Sequence, residues 1–292
     1  MIAYEGTLYR PPSEADSLIL QATIGCSYNE CTFCAMYRDK RFRIRKLDEL
    51  EREIEWAAAR APGVRKVFLA DGDALIAKTS YLEAILERLR AAFPDLARVS
   101  CYASPQSLQV RTEAEMERLR EGGLSLYYLG IESGDDRVLE KLAKGVDSAE
   151  MVRVANKAQD AGVKLSTMIL LGAGGRALSQ DHARESARVV NEIQPRFVST
   201  LVMTPVKGTP LWDEDQRGEV DHMDEIELTA ELREFVAGLE LRASVFRSNH
   251  ASNRLALAGT LSKDKRALLA QLDRALDDPA HAPFVPRWLR GL

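Results

Sequence analysis

The sequence has little that would place the protein in a membrane or in a secretion pathway. No apolar stretch approaches the roughly 18–20 residues that span a bilayer. Residues 1–16 contain Glu5 and two prolines in place of the apolar centre of a secretory signal. The net charge is only −4, with 40 Lys plus Arg against 44 Asp plus Glu, so no global charge draws the chain to nucleic acid. We expect a cytoplasmic protein.

Cysteine is also scarce, since the 292 residues include only four. This number excludes a disulfide-rich secreted scaffold, and a chain of this length buries enough core to need no such bonds. Three of the four, Cys26, Cys31 and Cys34, nevertheless fall within nine residues, while Cys101 lies apart. Thiols clustered so tightly in a cytosolic chain indicate a metal or redox site.

Apolar segments of strand length alternate with helical patterns along most of the chain. The six predicted strands are 18–24, 66–70, 98–102, 124–131, 163–171 and 196–203. This alternation predicts an α/β fold with a parallel sheet, either open or curled toward a barrel, and functional groups at the carboxyl ends of its strands. We divide the chain into an N-terminal segment (1–16), a core (17–210) and a mostly helical C-terminal extension (211–292).

The cysteines directly follow the first predicted strand with the spacing C-x4-C-x2-C. Three thiolates on one short, polar loop suit an iron–sulfur cluster, and a four-iron cluster held by three of them keeps one iron open for a small ligand. Zinc held with Cys101 or a histidine as fourth ligand, in a structural or interaction protein, is an alternative. Buried thiols without a metal are a second alternative.

The triad, with Phe33 directly before its third cysteine, resembles the motif of the radical S-adenosylmethionine (SAM) superfamily, with one extra residue in the usual C-x3-C-x2-C spacing. Similar segments follow at four further strand ends. They are Asp71-Gly72-Asp73 in place of a Gly-Gly-Glu-like segment, 129–145 with Glu132-Ser133, the glycine-rich 172–175, and Met203-Thr204-Pro205. The 129–145 segment is similar to the coproporphyrinogen-oxidase-like and methylthiotransferase-like branch.

This resemblance implies a partial (β/α)6 TIM-like barrel with a helical C-terminal extension. It implies a [4Fe-4S] cluster on Cys26, Cys31 and Cys34 that cleaves SAM reductively to a 5′-deoxyadenosyl radical. The radical would abstract hydrogen from a small or medium-sized substrate, for which an anionic compound is one option. It also implies an electron donor such as flavodoxin or ferredoxin.

The resemblance also implies which residues contact SAM. Phe33, Gly172 and Met203 would lie near the adenine, and Asp71, Gly72 and Asp73 near the methionine amine. Glu132 and Ser133 would face SAM. Apart from the resemblance, Arg153, on the helix before the fifth strand, is a weaker candidate for a contact with the methionine carboxylate. Each has an ordinary alternative, such as loop packing, a turn, a core position or a solvated surface.

Three further features are weaker candidates. Cys101 is either a small buried side chain or a hydrogen-atom donor. His250, in the polar stretch 247–253, is part of a capped turn or an acid–base group. Residues 38–46 carry six basic side chains, which suit a solvated loop, an anionic substrate, an acidic electron carrier or a tRNA. A tRNA-modifying enzyme of the same chemistry is therefore an alternative, although the net acidity argues against nucleic acid.

Overall fold

A computed structural model describes residues 1–286. The helices are α1 (Leu47–Ala58), α2 (Thr79–Ala92), α3 (Pro105–Val110), α4 (Glu113–Glu121), α5 (Asp136–Lys141), α6 (Ser148–Asp160), α7 (Gly175–Ile193), α8 (Pro210–Gln216), α9 (Glu225–Gly238) and α10 (Leu261–Asp277). The strands are β1 (Leu18–Gln21), β2 (Thr23–Ile24), β3 (Arg43–Ile44), β4 (Lys66–Ala70), β5 (Arg98–Ala103), β6 (Leu124–Glu132), β7 (Lys164–Leu171), β8 (Phe197–Val202), β9 (Val245–Ser248) and β10 (Leu257–Thr260).

Within residues 1–286, eight strands belong to a mainly parallel sheet, and β2 pairs with β3 in a small antiparallel sheet. The predicted α/β class with a parallel sheet is therefore confirmed. The chain divides into two compact units by its internal packing. Unit 1 comprises Met1–Asn29, Met36–Leu129 and Val154–Leu165, and unit 2 comprises Glu30–Ala35, Gly130–Arg153 and Ser166–Leu292.

In unit 1, strands β1, β4, β5 and β6 lie side by side in that order and all run parallel. Phe68, Tyr102 and Tyr128 meet edge to face on one side of these strands, where they pack with Ile19 and Ala70. Because side chains alternate along a strand, the residues next to these in sequence point to the opposite side. That opposite side is fully buried at Leu69 and Cys101.

In unit 2, β7, β8 and β9 are parallel neighbours, and β10 runs antiparallel to β9. From the sequence, this part of the chain is predicted to contain only the polar stretch 247–253 between two helices, whereas the structure has strands β9 and β10 here. The C-terminal extension thus adds a strand pair to the sheet as well as helices α8, α9 and α10. The extension begins with α8, which starts at Pro210.

Local sequence signals account for several element boundaries. Thr112 and Glu115 form a reciprocal capping box at the start of α4. Asp224 and Glu227 do the same for α9. The first predicted strand is divided into β1 and β2, with Ala22 between them. No helix among residues 1–286 has the length and apolar character required to traverse a bilayer.

The division of the chain at residue 210 stays a prediction. The two compact units have other boundaries, because unit 2 joins 130–153 and most of the segment from 166 onward. Helix α9 packs on α7 within this unit, and the buried side chains of α7 include Val189 and Val190. The C-terminal extension therefore contributes to the core of unit 2. Residues 287–292, at its end, lie outside the described residues.

Candidate active site

Asp71 organises the loop that carries Cys26 in unit 1. Its buried carboxylate accepts hydrogen bonds from the side chain of Gln21 at 3.1 and 3.2 Å and from the backbone N–H of Gly25 at 3.1 Å. The ammonium of Lys40 lies 2.9 Å from Asp71 Oδ2 and also donates to the carbonyl of Thr7. The oxygens of Asp71 therefore bind groups of the chain itself. The hydrogen bond from Gly25 holds the backbone directly before Cys26.

Gly72 brings two predicted site segments together. Its N–H donates to the carbonyl of Gly25 at 3.1 Å. A Cβ on Gly72 would lie 2.5 Å from the ring of Tyr37 and 2.9 Å from the Cβ of Cys26. Real Cβ atoms do not approach other heavy atoms so closely, so only glycine lets the Asp71–Asp73 turn contact the first cysteine.

Asp73 is fully buried beside the same loop. It accepts hydrogen bonds from Ser27 Oγ at 2.5 Å, from Ser104 Oγ at 2.7 Å and from the Ser104 N–H at 3.2 Å. Burial raises the pKa of the Asp73 carboxyl above its usual value, although the serine hydrogen bonds act in the opposite direction. Asp73 therefore ties the loop after Cys26 to the start of α3.

In unit 2, the loop with Cys31 and Cys34 is fixed through the residue between them. Thr32 donates its N–H to the carbonyl of Leu142 at 3.0 Å and its hydroxyl to the carbonyl of Lys141 at 3.1 Å. Its own carbonyl accepts from the N–H of Leu211 at 3.1 Å. The chain then turns, with the Cys34 N–H 3.3 Å from the Cys31 carbonyl. Both thiols are thereby held near the end of α5.

Phe33 and Met203, both predicted near adenine, pack against one apolar cluster of unit 2. Val138, Leu142, Leu170 and Ala173 form this cluster, and Phe33 and Met203 are its half-buried neighbours. Gly172, at the end of β7, is next to Ala173 and has a φ of +79°. These three predicted positions thus belong to one local region.

Glu132 and Lys144 form a buried ion pair that the sequence analysis did not predict. Lys144 Nζ lies 3.0 Å from Glu132 Oε1, and their side chains are 9% and 5% exposed. Burial alone lowers the pKa of Lys144, but the negative charges of Glu132, Cys31 and Cys34 outweigh it, so the pKa lies above its usual value. The other carboxylate oxygen, Glu132 Oε2, is buried without a hydrogen-bond partner among residues 1–286.

Ser133 begins a second buried network that links three elements of unit 2. Its hydroxyl lies 2.8 Å from His182 Nδ1 on α7, and His182 Nε2 is 3.8 Å from Glu231 Oε1 on α9. Glu231 accepts from the Gly172 N–H at 2.6 Å and from Ser179 at 2.7 Å. Burial lowers the pKa of His182 to about 4 and raises that of Glu231 to about 7. Sequence reasoning found no role for either residue.

Arg153, His250 and Cys101 lie outside these groups. Arg153 is largely exposed on α6 and donates two hydrogen bonds to Glu150, each at 2.6 Å. His250 Nδ1 is 2.9 Å from the hydroxyl of Ser252. Cys101 is fully buried, and burial, with the charge of Asp73, raises its thiol pKa well above the usual value. The roles suggested for these three residues stay predictions.

The basic stretch 38–46 is largely engaged within unit 1. Lys40 pairs with Asp71, as described above. Arg43 pairs with Glu5, and the buried Arg45 donates to Glu53 at 3.0 Å through each of two nitrogens. At least half of its six basic side chains therefore already have acidic partners.

The cysteines suit an iron–sulfur cluster by their chemistry. None of the four is in a disulfide, and the three of the motif are half-buried. In the described part of the chain, no three His, Cys, Asp or Glu side chains are grouped as a metal site. The fit to a cluster therefore rests on the thiol donors, their spacing on one loop, and the room that Gly72 leaves for Cys26.

Comparisons with known proteins agree with this chemistry. Biotin synthase from Heliobacterium modesticaldum is 24% identical over 198 residues, which cover 66% of this chain and 57% of that protein. The tRNA-2-methylthio-N(6)-dimethylallyladenosine synthase of Clostridium tetani is 25% identical over 205 residues, covering 66% and 43%. The chain thus spans about half the length of these curated relatives.

A solved structure of coproporphyrinogen III oxidase from Escherichia coli, described as a radical SAM enzyme, matches with a TM-score of 0.57 at 15% identity. The match covers 76% of this chain and 51% of that one. It confirms the predicted TIM-like fold. The family model of the Radical SAM superfamily matches residues 20–177, just over half of the chain, and includes all three cysteines of the motif. Proteins of this family use a [4Fe-4S] cluster and SAM. The chain belongs to the Radical SAM superfamily.

Proposed function

We propose that this protein is a radical SAM enzyme whose cluster ligands are Cys26, Cys31 and Cys34. The proposal rests on these three free thiols, which lie inside the segment that matches the family. When bound, the cluster supplies the electron that cleaves SAM to a 5′-deoxyadenosyl radical, which takes a hydrogen atom from the substrate. The residues of the chain bind, orient and shield the reactants.

The neighbouring residues have distinct parts in this proposal. Gly72 and Asp73 hold the loop of Cys26 and lie where the methionine amine would bind. Glu132 offers an unused carboxylate oxygen as a hydrogen-bond acceptor for SAM. Phe33, Gly172 and Met203 supply an apolar surface for the adenine. Asp71 acts through the loop, because its oxygens accept from Gln21, Gly25 and Lys40.

We propose a small or medium-sized molecule as the substrate and a flavodoxin-like or ferredoxin-like protein as the electron donor, in the cytoplasm. Several basic side chains of 38–46 pair with acidic residues of the protein, which supports a small substrate over a nucleic acid. The likeness to a tRNA-modifying synthase keeps tRNA as the second candidate. Retention of tRNA on the purified protein at low salt, lost in Arg41→Glu, would favour that candidate.

The test is the metal content of the protein purified and reconstituted without oxygen. We expect about four iron and four sulfide per chain, and 5′-deoxyadenosine after addition of dithionite and SAM. Cys26→Ala, Cys31→Ala and Cys34→Ala should each lose the cluster and the product. Cys101→Ala removes the remaining thiol and is the matched control, which should keep both.

Two results would contradict the proposal. One is zinc at one equivalent per chain with no sulfide, which would favour the structural zinc site instead. The other is a cluster that survives replacement of any of the three cysteines. Absence of 5′-deoxyadenosine with an intact cluster and added SAM would oppose the radical step.

A further inference from the structure

Lys144 is a buried cation of unit 2 that pairs with a carboxylate and closely follows the segment hydrogen-bonded to the loop of Cys31 and Cys34. Its ammonium lies 3.0 Å from Glu132 Oε1, and its side chain is 9% exposed. The pKa of Lys144 lies above its usual value, because the charges of Glu132, Cys31 and Cys34 outweigh the effect of burial. Nothing in the motif spacing assigns this lysine a role.

The same turn of the chain holds both Lys144 and the cysteine loop. The N–H of Lys144 donates to the carbonyl of Leu139 at 3.0 Å, just after α5. The carbonyls of Lys141 and Leu142, three and two residues earlier, accept the hydrogen bonds of Thr32. The ammonium is thereby fixed relative to the loop that carries Cys31 and Cys34.

The backbone of Glu132 has a left-handed conformation, which is uncommon for a residue other than glycine. Its φ is +66°, in the left-handed region that is unfavourable for a residue with a side chain. The neighbouring Gly130 has no space for a Cβ, which would lie 3.1 Å from Lys144 Nζ and still closer to the Glu132 carboxylate. Strain of this kind persists where the surroundings dictate it, and such places are often functional.

A buried charge is costly unless it has a partner. Glu132 supplies the partner of Lys144. Three thiolates make a bound cluster negative overall, and reduction adds a further negative charge. A fixed cation beside two of the three ligands would stabilise that added charge, because the screening by solvent is weak at a buried position.

We propose that Lys144 is a positioning residue that balances the charge of the cluster on its Cys31 and Cys34 side and holds Glu132 with one oxygen free for SAM. The inference deepens the proposed function and rests on it. Lys144 has two effects in this account. It makes the cluster easier to reduce, and it improves SAM binding through the orientation of Glu132.

The first test is the midpoint potential of the cluster in the full-length protein, measured by EPR during a redox titration. We expect Lys144→Met to lower the ratio of reduced to oxidised cluster about tenfold at a given potential, a downward shift of about 59 mV for a one-electron couple. Lys144→Arg keeps the charge and should lie close to the wild type. Lys141→Met removes an exposed lysine on the same turn and should change nothing.

The second test is equilibrium binding of SAM to the oxidised protein, which involves no turnover. We expect Lys144→Met and Glu132→Gln each to weaken binding about tenfold. The double variant should be no weaker than either single variant, because both act through one carboxylate. If Lys144→Met folds poorly by circular dichroism, the double variant replaces it, since it leaves no unpaired buried carboxylate. In the potential test the double variant is then compared with Glu132→Gln, from which it differs only by the charge of residue 144.

Wild-type potential and SAM affinity in a cluster-loaded Lys144→Met protein would overturn the inference. The same holds if Lys141→Met shifts both quantities equally, because the effect would then be one of surface charge. A wild-type protein without iron and sulfide would instead refute the proposed function. The metal content of the wild type therefore distinguishes the two failures.

Discussion

At the scale of single residues, burial determines how the side chains of unit 2 titrate. Glu231 is 3% exposed, and burial raises its pKa from 4.5 to about 7. Between these pH values the unfolded chain has released a proton that the folded protein still holds. The free energy of unfolding must therefore fall as the pH rises through this range and level off above about 7.

We predict that Glu231→Gln removes this loss of stability. A difference of up to about 3 kcal/mol between pH 4.5 and pH 8 follows from a pKa shift of this size. Urea unfolding of both proteins at several pH values measures it. His182, with a lowered pKa of about 4, destabilises both proteins as the pH falls below 6.5, so its contribution largely cancels in the comparison.

Glu240→Gln, at an exposed position beyond α9, is the control for loss of a surface charge. It should leave the pH dependence of the wild type in place. Parallel curves for the wild type and Glu231→Gln would show that Glu231 ionises in the fold as it does in the unfolded chain.

The sequence reveals some of these residues and conceals others for a physical reason. Cys26, Cys31 and Cys34 stand out because their ligand chemistry needs a close spacing along one loop. Lys144 and Glu231 do not, because their partners are 12 and 59 residues away. A buried lysine and a buried glutamate look like surface residues of helices until the fold brings those partners to them.

At the scale of elements, β9 shows how a short strand escapes detection. Its four residues are Val245, Phe246, Arg247 and Ser248, of which the second and fourth are buried. Two polar residues in four leave no apolar run, and the polar residues that follow extend the appearance of a loop. By contrast, α4 was predictable because its capping box lies within the sequence of the helix start.

We predict that Phe246→Ala lowers the free energy of unfolding by about 3–5 kcal/mol, because Phe246 is fully buried. Chemical denaturation measures the change. Arg247→Ala, at the adjacent exposed position, is the control and should change stability by less than about 0.5 kcal/mol. Equal, small effects at both positions would mean that β9 is not part of the core.

At the scale of the whole molecule, the core of unit 2 depends on chain from both sides of residue 210. Helix α9 packs on α7, and Glu231 accepts a hydrogen bond from Gly172. The boundary at residue 210 was predicted from the point at which the alternation of strands and helices ends. That alternation gives the order of the elements, whereas the shared core of unit 2 depends on which elements pack together.

We predict that a chain ending at residue 210 does not unfold cooperatively, since it exposes the apolar side of α7 that α9 covers. Thermal melting followed by circular dichroism measures this, and aggregation at low temperature would agree with it. The full chain is the control and should melt in one cooperative transition. A sharp transition of the 1–210 chain would establish residues 17–210 as an independent domain.

The contact between Gly72 and the ring of Tyr37 has a consequence for evolution. A Cβ at position 72 would overlap the ring of Tyr37, so a larger residue at 72 requires a smaller residue at 37. Natural relatives should therefore covary here, with a residue larger than glycine at 72 only where 37 carries something smaller than tyrosine. A lineage that kept the bulky ring would have no viable single step away from glycine.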